Sequence, residues 1–246
     1  MKIFNSIELI EPYPAIYIEE LDLISIADLH LGYEGILAEQ GIFMPKVQYK
    51  KILNDVRKIS ELKKASKILI NGDIKHEFSE TSYHEFKELV DFFYYLNNNF
   101  KKIILIKGNH DNFIYRLTEK YGIELYDELA CKDYLFIHGH REKELAQIKE
   151  KVIVLAHEHP AVALYSELGV KEKLKCFLYG KVKDKKVIVL PAVSYFAEGS
   201  SVNIIPQQEL LSPVLKNLGI DNFRAVGIVE HDKYLEFPEL WKLKGL

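Results

Sequence analysis

The sequence predicts an α/β protein with two sheets, and three observations carry that expectation. Between Lys67 and Leu155, short apolar runs alternate with helix-like segments, as in a mostly parallel sheet covered by helices. After Pro160 the pattern changes to hairpins, which predicts a second, antiparallel-rich sheet. The chain has 246 residues, 48% of them hydrophobic, enough to bury a large core. No linker, low-complexity tract or internal repeat interrupts it, so a single domain over residues 1–246 is expected.

The elements follow in order. Ile7–Ile10, Ala15–Ile18 and Leu23–Ala27 read as strands, with Pro12 and Pro14 marking a turn between the first two. Gly32 to Met44 reads as a loop. Pro45 suits the first turn of a helix running to about Lys64, with Val47, Ile52, Leu53, Val56, Ile59 and Leu62 on one face. Then come a strand Lys67–Ile70, a helix Ser82–Leu96, a strand Lys102–Ile106 and a helix Asn112–Tyr121. Tyr134–Ile137 reads as a strand, Glu142–Glu150 as a helix and Val152–Leu155 as a strand. Cys176–Lys181 and Lys186–Leu190 read as a hairpin, Leu210–Leu218 as a short helix, and Phe223–His231 and Tyr234–Phe237 as strands.

Bulk properties narrow the function. A net charge of −3 and a pI near 6.3 give no bias toward polyanions, and no long Lys/Arg block appears. Cys131 and Cys176 lack the spacing of a zinc knuckle or redox pair and read as reduced thiols. No apolar stretch is long enough to span a bilayer, and Met1 to Asn5 lack the apolar region of a signal peptide. A cytoplasmic location with no membrane partner is expected, and the oligomeric state is left open.

Five polar motifs punctuate the chain: Asp28-Leu29-His30, Gly72-Asp73, Gly108-Asn109-His110-Asp111, His138-Gly139-His140 and His157-Glu158-His159. Each follows, or nearly follows, an apolar strand-like run, so together they are expected at one sheet edge. Asp28 and His30 have the spacing that puts alternate side chains on one side of an extended chain. Asp73 has two oxygens and can bridge two ions, while Gly72 leaves room for close backbone approach. Asn109 offers an amide oxygen. His138, rather than His140, directly follows its apolar strand, and His157 and His159 repeat the spacing of two. Carboxylates, an amide oxygen and imidazoles suit Mn²⁺, Fe or Zn²⁺, where a pure oxygen set would suggest Mg²⁺ or Ca²⁺. Two divalent ions set against two carboxylates and a bridging hydroxide leave a centre of about +1, which attracts phosphate.

Lys75, His76, His140 and Arg141 lie beside these motifs. Arg141 suits a bidentate phosphate contact, or else a solvated position at the start of the Glu142–Glu150 helix. His76 suits either a substrate contact or a structural hydrogen bond. The Phe92-Phe93-Tyr94-Tyr95 run reads as helix packing rather than a base-stacking surface.

At these residues the chain resembles the calcineurin-like metallophosphoesterase superfamily, whose five motif blocks appear here in family order. The resemblance implies an α/β/β/α sandwich of two sheets flanked by helices. It implies that Asp28, His30, Asp73 and His159 hold one metal, and Asp73, Asn109, His138 and His157 a second. His110 would be the catalytic imidazole and Asp111 its orienting partner; His76, His140 and Arg141 are candidate substrate contacts. Three departures stand out, one being the two candidate ligands in His138-Gly139-His140. His76 replaces the second Asp of the usual Gly-Asp-x-x-Asp, and Ala156 replaces the Gly of Gly-His-x-His.

A narrower resemblance rests on Asn71 to Phe78, His138-Gly139-His140, Ala156 to Pro160 and Leu211-Ser212-Pro213. It points to archaeal phosphoesterases related to the break-repair nuclease subunit and to phosphoesterases associated with a DNA ligase. The expected function is hydrolysis of a phosphate ester, foremost a small or nucleotide-like diester, by in-line attack of a metal-bridging hydroxide with His110 as general acid. The expected cofactors are two divalent ions, Mn²⁺ first, with Fe, Zn²⁺ and Ni²⁺ as alternatives. The competing readings are a nuclease acting on DNA or RNA ends, which the acidic pI does not favour, and a non-catalytic metal-binding scaffold for a protein partner.

Overall fold

The computed structural model describes residues 1–79, 81–165 and 169–244. The chain divides into two compact units. The first comprises Met1–Ile10, Ala15–Asp127 and Val193–Phe196, and the second Glu11–Pro14, Glu128–Ala192 and Ala197–Leu246.

The first unit is a seven-stranded sheet in chain order: β1 (Lys2–Ile3), β2 (Ile7–Leu9), β3 (Ile16–Ile18), β4 (Leu23–Ile26), β5 (Lys67–Asn71), β6 (Lys102–Ile106) and β7 (Glu124–Tyr126). Short connections make β1 to β4 antiparallel neighbours. The helices α1 (Tyr33–Glu39), α2 (Gln48–Leu62), α3 (Tyr83–Asn99) and α4 (Tyr115–Lys120) supply the crossovers that make β4 to β7 parallel. Helix α2 buries Ile52, Val56 and Ile59, and α3 buries Leu89, Phe92, Phe93 and Leu96, each one turn apart along a single stripe. Phe92 and Phe93 are therefore core, as their sequence run suggests.

Helix α1 lies where a loop was expected. Gly32 and Gly35 depress its local helix propensity, but both are needed. A Cβ on Gly32 would meet Glu85 at 2.6 Å, and one on Gly35 would meet His84 at 2.5 Å. Close approach to α3 overrides propensity.

The second unit holds β8 (Glu128–Cys131), β9 (Tyr134–Ile137), β10 (Val152–Leu155), β11 (Pro160–Tyr165), β12 (Lys171–Val182), β13 (Lys185–Val189), β14 (Ser200–Ser201), β15 (Arg224–Val229) and β16 (Lys233–Glu239), with one helix, α5 (Pro213–Leu218). The order is β14-β11-β12-β13-β10-β9-β8, with β15 also on β12 and β16 on β15. Strands β9, β10 and β13 run parallel at its centre. Leu135, Ile153, Leu155, Leu178, Val187, Val189, Val214, Leu215 and Phe223 form one buried cluster.

Two expectations are corrected here. The parallel strands do not form one sheet: β4 to β7 belong to the first, and β9, β10 and β13 to the second, which begins at Glu128 rather than after Pro160. No helix separates β7 from β9, so β9 has no crossover to place it parallel beside β7; it pairs with the hairpin strand β8 instead. The Glu142–Glu150 helix is also absent, replaced by a single 3₁₀ turn at Leu145–Gln147. Only Ile148 of that segment is buried, too little apolar anchorage to hold a short helix. Cys131 and Cys176 are both free. Among the described residues no helix is long and apolar enough to cross a membrane.

Candidate metal centre

The expected ligands divide between the two units and follow strands of both sheets. In the first unit they follow β4, β5 and β6, which leave the sheet in parallel at one edge. The ladder continues past the strands: Asp28 N–H donates to the Gly72 carbonyl at 3.0 Å, and His30 N–H to the Asp73 carbonyl at 3.0 Å. The late segment Val193–Phe196 fixes the same stretch from the other side. Ser194 N–H donates to the Asp28 carbonyl at 3.0 Å, and Ser194 Oγ to Gln48 Oε1 at 2.8 Å. Gln48 Nε2 in turn donates to the His30 carbonyl at 3.1 Å.

Asp28, His30, Asp73 and Asp111 are buried. Asp28, His30 and Asp73 all take left-handed backbone, with φ of 55°, 47° and 50°. That conformation is costly for a residue with a Cβ and recurs at functional sites. Gly108 is obligatory for space: a Cβ there would lie 2.1 Å from Asp73 Oδ1.

Asp111 holds the loops together. Its carboxylate accepts backbone N–H bonds from Asp73 (2.8 Å), Ile74 (3.0 Å) and Gly108 (2.8 Å), with a longer one from Lys75 (3.4 Å). The His110 ring is held elsewhere. Its Nδ1–H donates to the His76 carbonyl, its backbone N–H donates to Asp73 Oδ1 at 2.9 Å, and its Nε2 lies 3.9 Å from Asp73 Oδ2. Donor nitrogens of His30, His76 and His110 all lie within 4.8 Å of one another. Burial and the neighbouring His110 hold the His76 imidazole below its ordinary pKa, which favours the neutral ring, with a lone pair on one nitrogen that can meet a cation. Asn109 is half-buried beside them, its carbonyl accepting from Asn112 Nδ2 at 3.2 Å.

In the sequence Lys75 is notable only for its place beside the motifs, and Glu85 not at all. Both side chains are fully buried and pair at 3.8 Å. Burial pushes the Lys75 ammonium down and the Glu85 carboxyl up, and each partner's charge opposes the other's shift. Ser82 caps α3 by accepting from Glu85 N–H at 3.3 Å. Glu85 stands where a capping-box Glu would bond back to its own helix, but its Oε1 receives the N–H groups of His76 (2.8 Å) and Glu77 (2.9 Å). Lys75 Nζ donates to the carbonyls of Glu77 and Ser79, so one buried pair fixes the loop carrying His76. On paper Lys75 and Glu85 look like ordinary surface charges.

In the second unit His138 follows β9 and His157 follows β10. These strands are parallel neighbours, and Ala156 N–H donates to the His138 carbonyl at 3.0 Å. Imidazole centroids of His138 and His157 lie 5.0 Å apart, and His140 lies 5.3 Å from His138 and 6.1 Å from His157. His157 and His159 again have left-handed backbone, φ 67° and 46°. Gly199 is needed beside them, since a Cβ would fall 2.1 Å from the His159 carbonyl oxygen. Arg141 is exposed, and the helix it was expected to start does not form.

The Leu211-Ser212-Pro213 motif now has a structural role. Buried Glu158 accepts Ser212 N–H at 2.8 Å, and Ser212 Oγ donates to the Gly139 carbonyl at 2.8 Å while capping α5 through Leu215 N–H at 3.4 Å. One serine thus ties the His138–His140 turn to the His157–His159 turn. Burial raises the pKa of Glu158.

Carboxylates and imidazoles gathered after parallel strands are groups that could hold a metal ion. A family model described as calcineurin-like phosphoesterase matches residues 22–221, and the chain belongs to that family. It is therefore a phosphoester hydrolase of a metal-dependent family. Among solved structures, the Pseudomonas putida nuclease MPE is 18% identical over 97% of this chain and 98% of its own, with a TM-score of 0.66. That likeness shows the fold: two mixed sheets with flanking helices, of the metallophosphoesterase type. A metallophosphoesterase from Sphaerobacter thermophilus is 14% identical over 70% of this chain and 76% of its own, with a TM-score of 0.37. No curated protein matches the chain significantly.

Proposed function

We propose that the protein is a dinuclear metal-dependent phosphodiesterase acting on a small or nucleotide-like ester, with residues 1–246 working as one catalytic domain. Asp28, His30, Asp73 and His159 would hold one divalent ion, and Asp73, Asn109, His138 and His157 the other, Mn²⁺ before Fe, Zn²⁺ or Ni²⁺. When bound, such ions supply an acidified water and offset charge on the phosphoryl oxygens. His76, His140 and Arg141 would contact the phosphate.

The observation that carries this reading is how His110 is held. Its Nδ1–H is committed to the His76 carbonyl, which leaves Nε2, beside the buried Asp73, as the atom that exchanges protons. As the bond from phosphorus to the leaving oxygen breaks, its electron pair goes to that oxygen, which takes the Nε2 proton. The His110 side chain is only 13% exposed, so bulk water competes poorly for that proton. Asp111 acts on His110 through the backbone it anchors.

A metal-reconstituted screen of diesters, monoesters, cyclic nucleotides and single- and double-stranded DNA tests the proposal, with His110→Ala as the blank. His110→Ala should retain its metal and lose about 10²–10⁴-fold in turnover. Parental turnover of an alkyl diester by that variant would end the assignment. A second reading, a nuclease, is supported by the whole-length likeness to the Pseudomonas putida nuclease. Cleavage of DNA in preference to small diesters would select it.

A further inference from the structure

We propose that Phe78 is a specificity-determining residue, an aromatic platform for the nucleobase of a nucleoside leaving group. The inference rests on the phosphodiesterase reading and names its substrate class.

Phe78 lies against the proposed general acid. Its ring centroid is 3.6 Å from that of His110, with 32° between the planes. Covering His110 does not account for the whole ring, because Phe78 remains 54% exposed. The loop presenting it is fixed. Phe78 N–H donates to Glu77 Oε1 at 2.9 Å, and its carbonyl accepts from Asn112 Nδ2 at 3.1 Å. The buried Lys75 reaches the carbonyls on either side, of Glu77 and Ser79.

A second ring stands on the neighbouring loop. Phe113 is 58% exposed and has left-handed backbone, φ 63°. A bulky residue in that region is an outlier, and such strain clusters at ligand-contacting sites. At 58% exposure, only partial burial offsets that cost. Two apolar rings are thus held in water on the loops that carry His76 and His110. Since His110 gives its proton to the leaving oxygen, the body of the leaving group emerges beside Phe78. Flat apolar surface of nucleobase size is what would cover that ring, and stacking tolerates any base because every base has a π-face.

The test compares the metal-loaded parent with Phe78→Leu, which keeps the apolar volume without the ring, and with Phe78→Trp. Each is given a deoxydinucleotide, the same backbone without bases, and bis(4-nitrophenyl) phosphate. The parent should prefer the base-bearing dinucleotide. Phe78→Leu should lower kcat/KM for it by about 5- to 150-fold more than for the base-free diester, the range for loss of one base-stacking contact. Phe78→Trp should restore the preference. Separately, adenosine titrated by NMR into protein without added metal should bind at least about five-fold more weakly to Phe78→Leu than to the parent. An equal fall on all three diesters, a loss confined to the nitrophenyl ester, or unchanged adenosine affinity would each overturn the proposal. A parent that cuts no diester yet binds adenosine through Phe78 would sink the phosphodiesterase reading and leave the platform standing.

Discussion

The two units hold their site loops by the same principle and with different redundancy. In the first, two buried carboxylates accept backbone N–H groups from the loops: Asp111 receives four and Glu85 two, with Lys75 added from the side. In the second, Ser212 bridges the Gly139 turn and the Glu158 turn, beside the bond from Ala156 N–H to the His138 carbonyl. A polar side chain in the interior is best used where several backbone donors converge, because each would otherwise be a buried unsatisfied group. The first unit should therefore fail by losing its fold, and the second by loosening its histidines.

The largest effect is expected at Asp111. Asp111→Ala orphans four buried amides at roughly 1–3 kcal/mol apiece, so urea unfolding should show a loss of about 4 kcal/mol or more, or no folded protein. Lys75→Met comes next. It leaves Glu85 buried without its cation, and a loss of about 3–5 kcal/mol is expected in the same measurement. Ser212→Ala should cost only about 1–2 kcal/mol, the size of a lost cap and one hydrogen bond. It should nevertheless weaken metal binding in the folded protein, read by titration well below the melting temperature, with Ser212→Thr restoring part of it. Equal losses for Asp111→Ala and Ser212→Ala would break the contrast.

The smallest effect is a pH slope. Burial, reinforced by the nearby Glu34, raises the Glu88 carboxyl from its ordinary 4.5 to about 7 even though it accepts the Gly32 N–H. The folded state then holds a proton that the unfolded chain has released. Stability from this group is full below about 4.5 and is lost as pH rises to about 7. Glu88→Gln should flatten that part of a stability-versus-pH curve, and an unchanged slope would assign it to other groups.

The strand-end placement of the polar motifs was more legible in the sequence than the pairing of the sheets that carry them. Asp28, His30, Asp73 and His157 are polar residues placed just after apolar strands, a pattern visible without knowing which strands pair. Pairing is non-local, and nothing in β7 or β9 alone says that a new sheet starts between them. Helix α1 was hidden because Gly32 and Gly35 answer to α3 rather than to their own propensity. Lys75 and Glu85 were hidden because an internal ion pair is written in the same letters as a solvated one. Ser212 could be read from sequence only as a residue at a helix start; its second bond, to Gly139, depends on a turn 73 residues away.

Five of the seven proposed ligands, Asp28, His30, Asp73, His157 and His159, carry positive φ, where glycine would rest more comfortably. A screen that rewarded heat resistance alone should drift toward glycine or asparagine at those positions, hardening the apoprotein while erasing its chemistry. Thermostabilised variants of this chain are best made with these five codons locked.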